Sequence, residues 1–119
     1  MNIESLREYC LTKPGATESF PFGEDTLVFK VGEKIFLLAN LSNPSSFNAK
    51  CDPEKATILR EQYPEVVPGY HLNKKHWNTV YYNENLSESL LKELVDHSYN
   101  LVFSSLSKAI QSKINVSDT

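Results

Sequence analysis

The chain has only four glycines, two cysteines, one methionine and one tryptophan in 119 residues, and these scarcities close off several classes of function. Cys10 and Cys51 lie far apart, with neither finger spacing nor a second pair, so no structural zinc and no disulfide framework is expected. The glycines are scattered, so there is no Gly-rich phosphate loop and no nucleophile elbow. A nucleophile, a base and an oxyanion donor cannot be assembled from named residues, so neither an enzyme nor a cofactor is expected. No apolar run is long enough to span a bilayer. Residues Met1 to Ser5 lack a basic region followed by an apolar one, so the expectation is a cytoplasmic protein with two reduced thiols.

What is present suits one folded domain. A chain of this length buries roughly two thirds of its unfolded surface, enough for one core without metal or cross-links. The composition, 40% hydrophobic and 23% charged, argues against disorder. The formal net charge of -3 gives a global field that does not draw in polyanions, so any nucleic-acid role must rest on a local patch. Such a patch exists. Between Glu65 and Glu84 there is no acidic residue, and the run from Pro68 to Val80 holds Tyr70, His71, Asn73, Lys74, Lys75, His76, Trp77 and Asn78. Cationic points, hydrogen-bond donors and flat rings together suit phosphates and bases. They equally suit the entry to a packed strand.

Asn2 caps a first helix bearing Ile3, Leu6 and Cys10 on one face, and Lys13-Pro14-Gly15 ends it. Ser19-Phe20-Pro21-Phe22-Gly23 reads as an edge strand or an extended arm. Thr26 to Val31 and Lys34 to Leu41 alternate as strands joined by Gly32-Glu33, a pair that predicts a type II′ hairpin turn. Phe36 and Leu38 make both faces of the second strand apolar, so it should be central. Pro44-Ser45-Ser46 reads as a turn and Phe47 to Cys51 as a strand. Asp52-Pro53-Glu54 opens a helix that Pro64 stops. Val66 to Gly69 reads as a turn, Trp77 to Tyr82 as a strand, and Asn83-Glu84-Asn85 as a loop. Ser87 and Glu88 start a long helix that Ser104-Ser105 interrupts before a final helix from Leu106 to about Ile114. One domain over 1–115 and a frayed tail at 116–119 are expected. The order predicts a two-layer α+β domain: a largely antiparallel sheet with helices on one face.

Phe20-Pro21-Phe22-Gly23, Lys50-Cys51-Asp52-Pro53, Leu59-Arg60, the run from Pro68 to Val80, and Asp96 to Val102 resemble the MmcQ/YjbR family of small bacterial proteins, in order and over nearly the whole chain. One departure is Ser107, where the family is expected to carry Pro before Lys; this leaves the last helix boundary open. The resemblance implies a secretion-chaperone-like fold, related in shape to frataxin, and double-wing DNA binding. It implies no enzyme and no cofactor.

The candidate contact residues are Lys74, Lys75, His71, Asn73, Tyr70 and His76, with Lys50 secondary. If the segment is extended, Lys74 and Lys75 point to opposite faces; in a loop, both reach one ligand. His71 and His76, five apart, share a metal only in an irregular loop. Trp77 is either a stacking face or a core residue. Asn73 and Asn78 either donate to phosphates or cap turns. Lys50 precedes a helix N-terminus that can hold an anion, though Asp52 competes for it as a cap. Lys108 and Lys113 either extend a positive face or complement a helix C-terminus. The first hypothesis is a monomer that contacts DNA weakly through phosphates, with little sequence preference. The second is a chaperone-like protein-interaction module, hinted at by the Phe20-Pro21-Phe22 arm and by the sheet face or edge.

Overall fold

The computed structural model describes residues 1–42, 46–70, 72–82 and 85–117. Pro44 and Ser45 of the expected turn, His71, Asn83 and Glu84 of the expected loop, and residues 118–119 lie outside the described residues. Among the described residues the order is α1 (Ile3–Leu11), β1 (Thr17–Ser19), β2 (Thr26–Val31), β3 (Lys34–Asn40), β4 (Ser46–Lys50), α2 (Pro53–Gln62), β5 (Val66–Pro68), β6 (Trp77–Val80), α3 (Glu88–Ser105) and α4 (Lys108–Ser117). The strands form one antiparallel sheet in the order β1-β2-β3-β4-β6-β5, with β3 inside it as its two apolar faces predict. The fold is the expected two-layer α+β arrangement.

Helix α3 covers one face of the sheet. Its Leu91, Leu94, Val95, Tyr99 and Val102 are buried against β2, β3 and β4, as a 3.6-residue stripe requires. Tyr99 meets Phe36 edge to face at 5.3 Å, and Phe36 in turn meets Phe29. Phe36 reaches this core because β3 carries a bulge. Phe29 pairs with Leu37 and Lys30 with Ile35, so Phe36 has no pairing partner on β2, and both Phe36 and Leu37 lie in the core. The β3–β4 ladder ends at Leu37 and Ala49. Beyond it the buried Ser98 hydroxyl bridges the gap, donating to the Phe36 carbonyl and accepting the Lys50 N–H at 2.7 Å. One side chain of α3 thus satisfies two backbone groups that the bulge would otherwise leave unpaired.

Four local expectations are corrected. The β2–β3 turn has φ of 55° at Gly32 and 68° at Glu33, so it is type I′ and not II′. Positive φ at both central positions matches the twist of the flanking strands. A β-carbon at Gly32 would also lie 2.6 Å from Leu106 Cδ1, so a larger residue would have to push the buried Leu106 side chain aside. The Phe20-Pro21-Phe22 segment is not a strand: the edge strand is Thr17–Ser19, and the two phenylalanines stand exposed in the following turns. Val66–Pro68, expected as a turn, is a strand on β6, because Val66 has a core position to fill beside Val80. The last helix begins at Lys108, capped by Ser107, whose hydroxyl accepts the Ile110 N–H at 3.2 Å. Ser at this place therefore performs a capping role, and the helix runs on to Ser117. Lys108 consequently sits in a first helical turn, not a last one, so dipole complementarity does not account for it.

Ser98→Ala is expected to destabilise the protein by about 1–3 kcal/mol, since a buried N–H and a buried carbonyl lose their shared partner. Urea denaturation checks this. A cost indistinguishable from zero would mean the two backbone groups pair directly.

Candidate functional site

The face of the sheet away from α3 is partly exposed: Asn48 and Val67 reach solvent, while Val28, Leu38 and Thr79 are buried. Across it runs a row of register partners, Val28, Leu38, Asn48, Thr79 and Val67, one from each of five strands. At the end of the sheet near the β5–β6 connection, Lys50 stands opposite Trp77. A trough of about 580 Å³ lies over the middle of this face. Leu38, Asn40, Asn48 and Thr79 line it from the sheet, while Phe22 and the Tyr70–Leu72 pair line it from the connecting segments. Phe22 comes from the β1–β2 connection and Tyr70 from the β5–β6 connection, so the two flank the trough from opposite edges of the sheet.

The cationic segment is a turn and not an extended strand. Asn73 organises it: its side-chain oxygen accepts the Lys75 N–H at 2.9 Å, and its carbonyl accepts the N–H groups of His76 and Trp77. Lys74 and Lys75 are therefore both exposed on one tight loop. The Lys74 ammonium donates to the Gly69 carbonyl at 3.1 Å, which fixes the side chain without cancelling its charge. Gly69 itself donates to the Trp77 carbonyl at 2.8 Å, and a β-carbon there would lie 2.9 Å from Trp77 Cβ, so only glycine allows this approach. The His76 carbonyl accepts the Cys51 N–H at 2.8 Å, tying the loop to the end of β4. Trp77 is half-buried and outside the core cluster, so neither of its two expected roles describes it fully.

The residue that holds the loop is Arg60 on α2. Its Nε donates to Asn78 Oδ1 at 2.7 Å, and its terminal nitrogen donates to the carbonyls of Lys74 and Trp77. Asn78 is buried, so it anchors this fork and does not face a ligand. Sequence reasoning noticed Arg60 only as part of a family pattern. An exposed-looking Arg two residues before a helix end carries no local sign that it braces a distant loop.

The helix-terminus alternative for Lys50 is closed off. Asp52 Oδ2 accepts the N–H groups of Glu54 and Lys55, each at 3.2 Å, so the N-terminus of α2 already holds a carboxylate. The Asp52 N–H donates to His97 Nε2 at 3.1 Å, which requires that nitrogen unprotonated. Burial, reinforced by the Lys55 charge, holds His97 below its ordinary value of 6.5. Burial also pushes the Cys10 thiol up to about 12 and raises Cys51, so neither supplies a thiolate at neutral pH. No cluster of three metal-ligating side chains occurs among the described residues.

The YjbR family model matches residues 11–101. This chain belongs to the YjbR family. It is 41% identical over 112 residues to the uncharacterized protein YbdF of Escherichia coli O157:H7, covering 93% of this chain and 92% of that one. It is 39% identical over 100 residues to YjbR of E. coli K12, covering 83% and 85%. The crystal structure of Deinococcus radiodurans protein DR2400, of the DUF419 domain family, superposes with a TM-score of 0.90 at 38% identity, over 96% of this chain and 88% of that one. A Pseudomonas syringae protein superposes with a TM-score of 0.75 at 26% identity, over 86% and 99%. These names state no activity, so function must be argued from the site.

Two measurements test the frame of this site. Arg60→Met is expected to cost about 1–3 kcal/mol by leaving the buried Asn78 oxygen unpaired, and to red-shift Trp77 emission as the loop loosens. Urea denaturation followed by fluorescence checks both effects. His97, depressed in the folded state, contributes stability that is complete above about pH 6.5 and is lost as pH falls through the lowered folded value. Thermal melts across that window should show the decline in the native protein and a flatter profile in His97→Gln.

Proposed function

We propose that the protein binds nucleic acid through phosphate contacts at the 73–76 loop and the adjoining end of the open sheet face, weakly and with little sequence preference. The observation that carries this is the electrostatic isolation of Lys50, Lys74 and Lys75. Among the described residues, ion pairs join Arg7 to Glu18, Lys13 to Asp96 and Lys55 to Glu93, but none neutralises these three lysines. Lys74 is held in place by a carbonyl, so its charge is positioned before any ligand arrives. Asn73 serves the loop's geometry through its carbonyl oxygens and positions its neighbours. Tyr70 adds an exposed ring beside the lysines, and His76 is half-buried behind them.

Magnitude sets the strength. About three neutralised phosphates give a log–log salt slope near -3 and place binding in the ~10⁻⁴–10⁻⁶ M range at physiological salt. The overall negative charge of the chain puts it at the weaker end of that range. Nothing in this mode of contact requires a cofactor or an enzymatic step.

A second reading, a protein-interaction module, is favoured by Phe20 and Phe22, 51% and 66% exposed on the β1–β2 connection. Strand addition at the sheet edges suits it poorly. Both edge strands have three residues, and Pro68 closes one of them. A protein partner captured from lysate that persists after nuclease treatment would favour this second reading over the first.

The primary test is fluorescence anisotropy with labelled duplex and single-stranded DNA at 50 and 200 mM salt. Binding that weakens with a slope of about -3 on duplex and about -2 on single strands, and that is lost in the double variant Lys74→Glu, Lys75→Glu, is the expected result. No binding at the lower salt, or binding indifferent to the double variant, would refute the proposal.

A further inference from the structure

We infer that the trough on the open sheet face receives one unpaired nucleobase, so that the protein prefers single-stranded over duplex nucleic acid. This rests on the phosphate-contact reading above and adds a ligand for a feature that backbone contacts leave unused. The trough's volume of about 580 Å³ falls in the range of small-molecule pockets. Bases in a duplex are stacked inward and reach such a site only when extruded, whereas a single strand presents them freely.

The lining has the chemistry of a base site. Tyr70 and Phe22, 69% and 66% exposed, line it from the two connecting segments. Rings left this exposed suit stacking against another ring. The floor is polar in a particular sense. Asn48 Oδ1 accepts the Thr79 hydroxyl, and Asn40 Oδ1 accepts the Ser42 N–H at 3.1 Å. Both carboxamide oxygens are thereby occupied, which fixes the amide orientation and leaves the NH₂ groups as the donors available to a ligand. Donors on the floor between aromatic walls select a flat ring with acceptor atoms on its edge, as the carbonyl-bearing bases have. Thr79 Oγ also accepts the Tyr70 N–H at 3.0 Å, so the floor holds the base of the Tyr70 wall in position.

Charge complementarity chooses the occupant. Tyr70 follows Gly69, whose carbonyl anchors the Lys74 ammonium, so a cation held for a phosphate lies beside the residue whose ring lines the trough. A nucleotide of a strand offers those two groups at neighbouring positions. An apolar peptide side chain would leave the floor donors of Asn40 and Asn48 unpaired, at a cost.

The test compares a 12-nucleotide oligo-dT with a 12-base-pair duplex at low salt, using the native protein, Tyr70→Ala and Asn48→Asp. Asn48→Asp keeps an acceptor for Thr79 while removing one of the two floor donors. Oligo-dT is expected to bind the native protein about tenfold more tightly than the duplex, and Tyr70→Ala to lose about tenfold on oligo-dT alone. Asn48→Asp should weaken oligo-dT more than duplex. Equal binding of both nucleic acids, or a single-strand preference that survives both substitutions, would overturn the trough assignment and leave the phosphate reading standing. Failure to bind either nucleic acid would overturn both.

Discussion

A buried hydroxyl of α3 sits where the sheet would otherwise come apart. The bulge at Phe36 turns two consecutive large side chains toward the core, and its cost is a break in the β3–β4 ladder. Ser98 fills the break, joining the Lys50 N–H to the Phe36 carbonyl. The same contact sets the height of α3 over the sheet and fixes the backbone of Lys50. A core device thereby places a surface cation, which links packing on the closed face to chemistry on the open one.

The open face is organised from behind in a similar way. Arg60 reaches from α2 to the carbonyls of Lys74 and Trp77 and to the buried Asn78 oxygen. Its positive charge is directed at backbone oxygens and at a neutral amide, so it stiffens the loop without supplying a counter-charge to the lysines. A carboxylate in the same role would have braced nothing there and would have lowered the local potential. Asp52, the carboxylate in the neighbouring cap, is turned into the α2 N-terminus by hydrogen bonds to Glu54 and Lys55. The arrangement keeps a local cationic edge on a chain of negative net charge.

Much of the frame was readable because its signals are short-range. Asn2, Asp52 and Ser87 cap the helices they precede, since a cap acts within three residues. Alternation places Leu27, Phe29, Val31, Leu37 and Ala39 in the core, because side-chain direction follows backbone period, while the bulge brings Phe36 in and leaves Ile35 out. The departures occur where distant groups decide. Val66–Pro68 resembles a turn but is recruited as a strand by β6, and Phe20–Phe22 resembles a strand but finds no ladder to join. Gly32 and Glu33 announce a two-residue turn, yet strand twist on both sides selects type I′.

The candidate site divides along the same line. Residue chemistry alone marked the acid-free run and named Lys74, Lys75, Asn73 and Tyr70, because a local excess of one charge is visible without coordinates. Composition also set the overall sign of the chain, and hence the weakness of any polyanion contact. Tertiary structure alone decided that the two lysines share a tight loop, that Arg60 braces it, and that an aromatic-walled trough opens beside it. Those features join residues from different strands and helices, brought together by core burial on the opposite side of the sheet. No spacing in the linear chain encodes which groups that burial leaves facing one another.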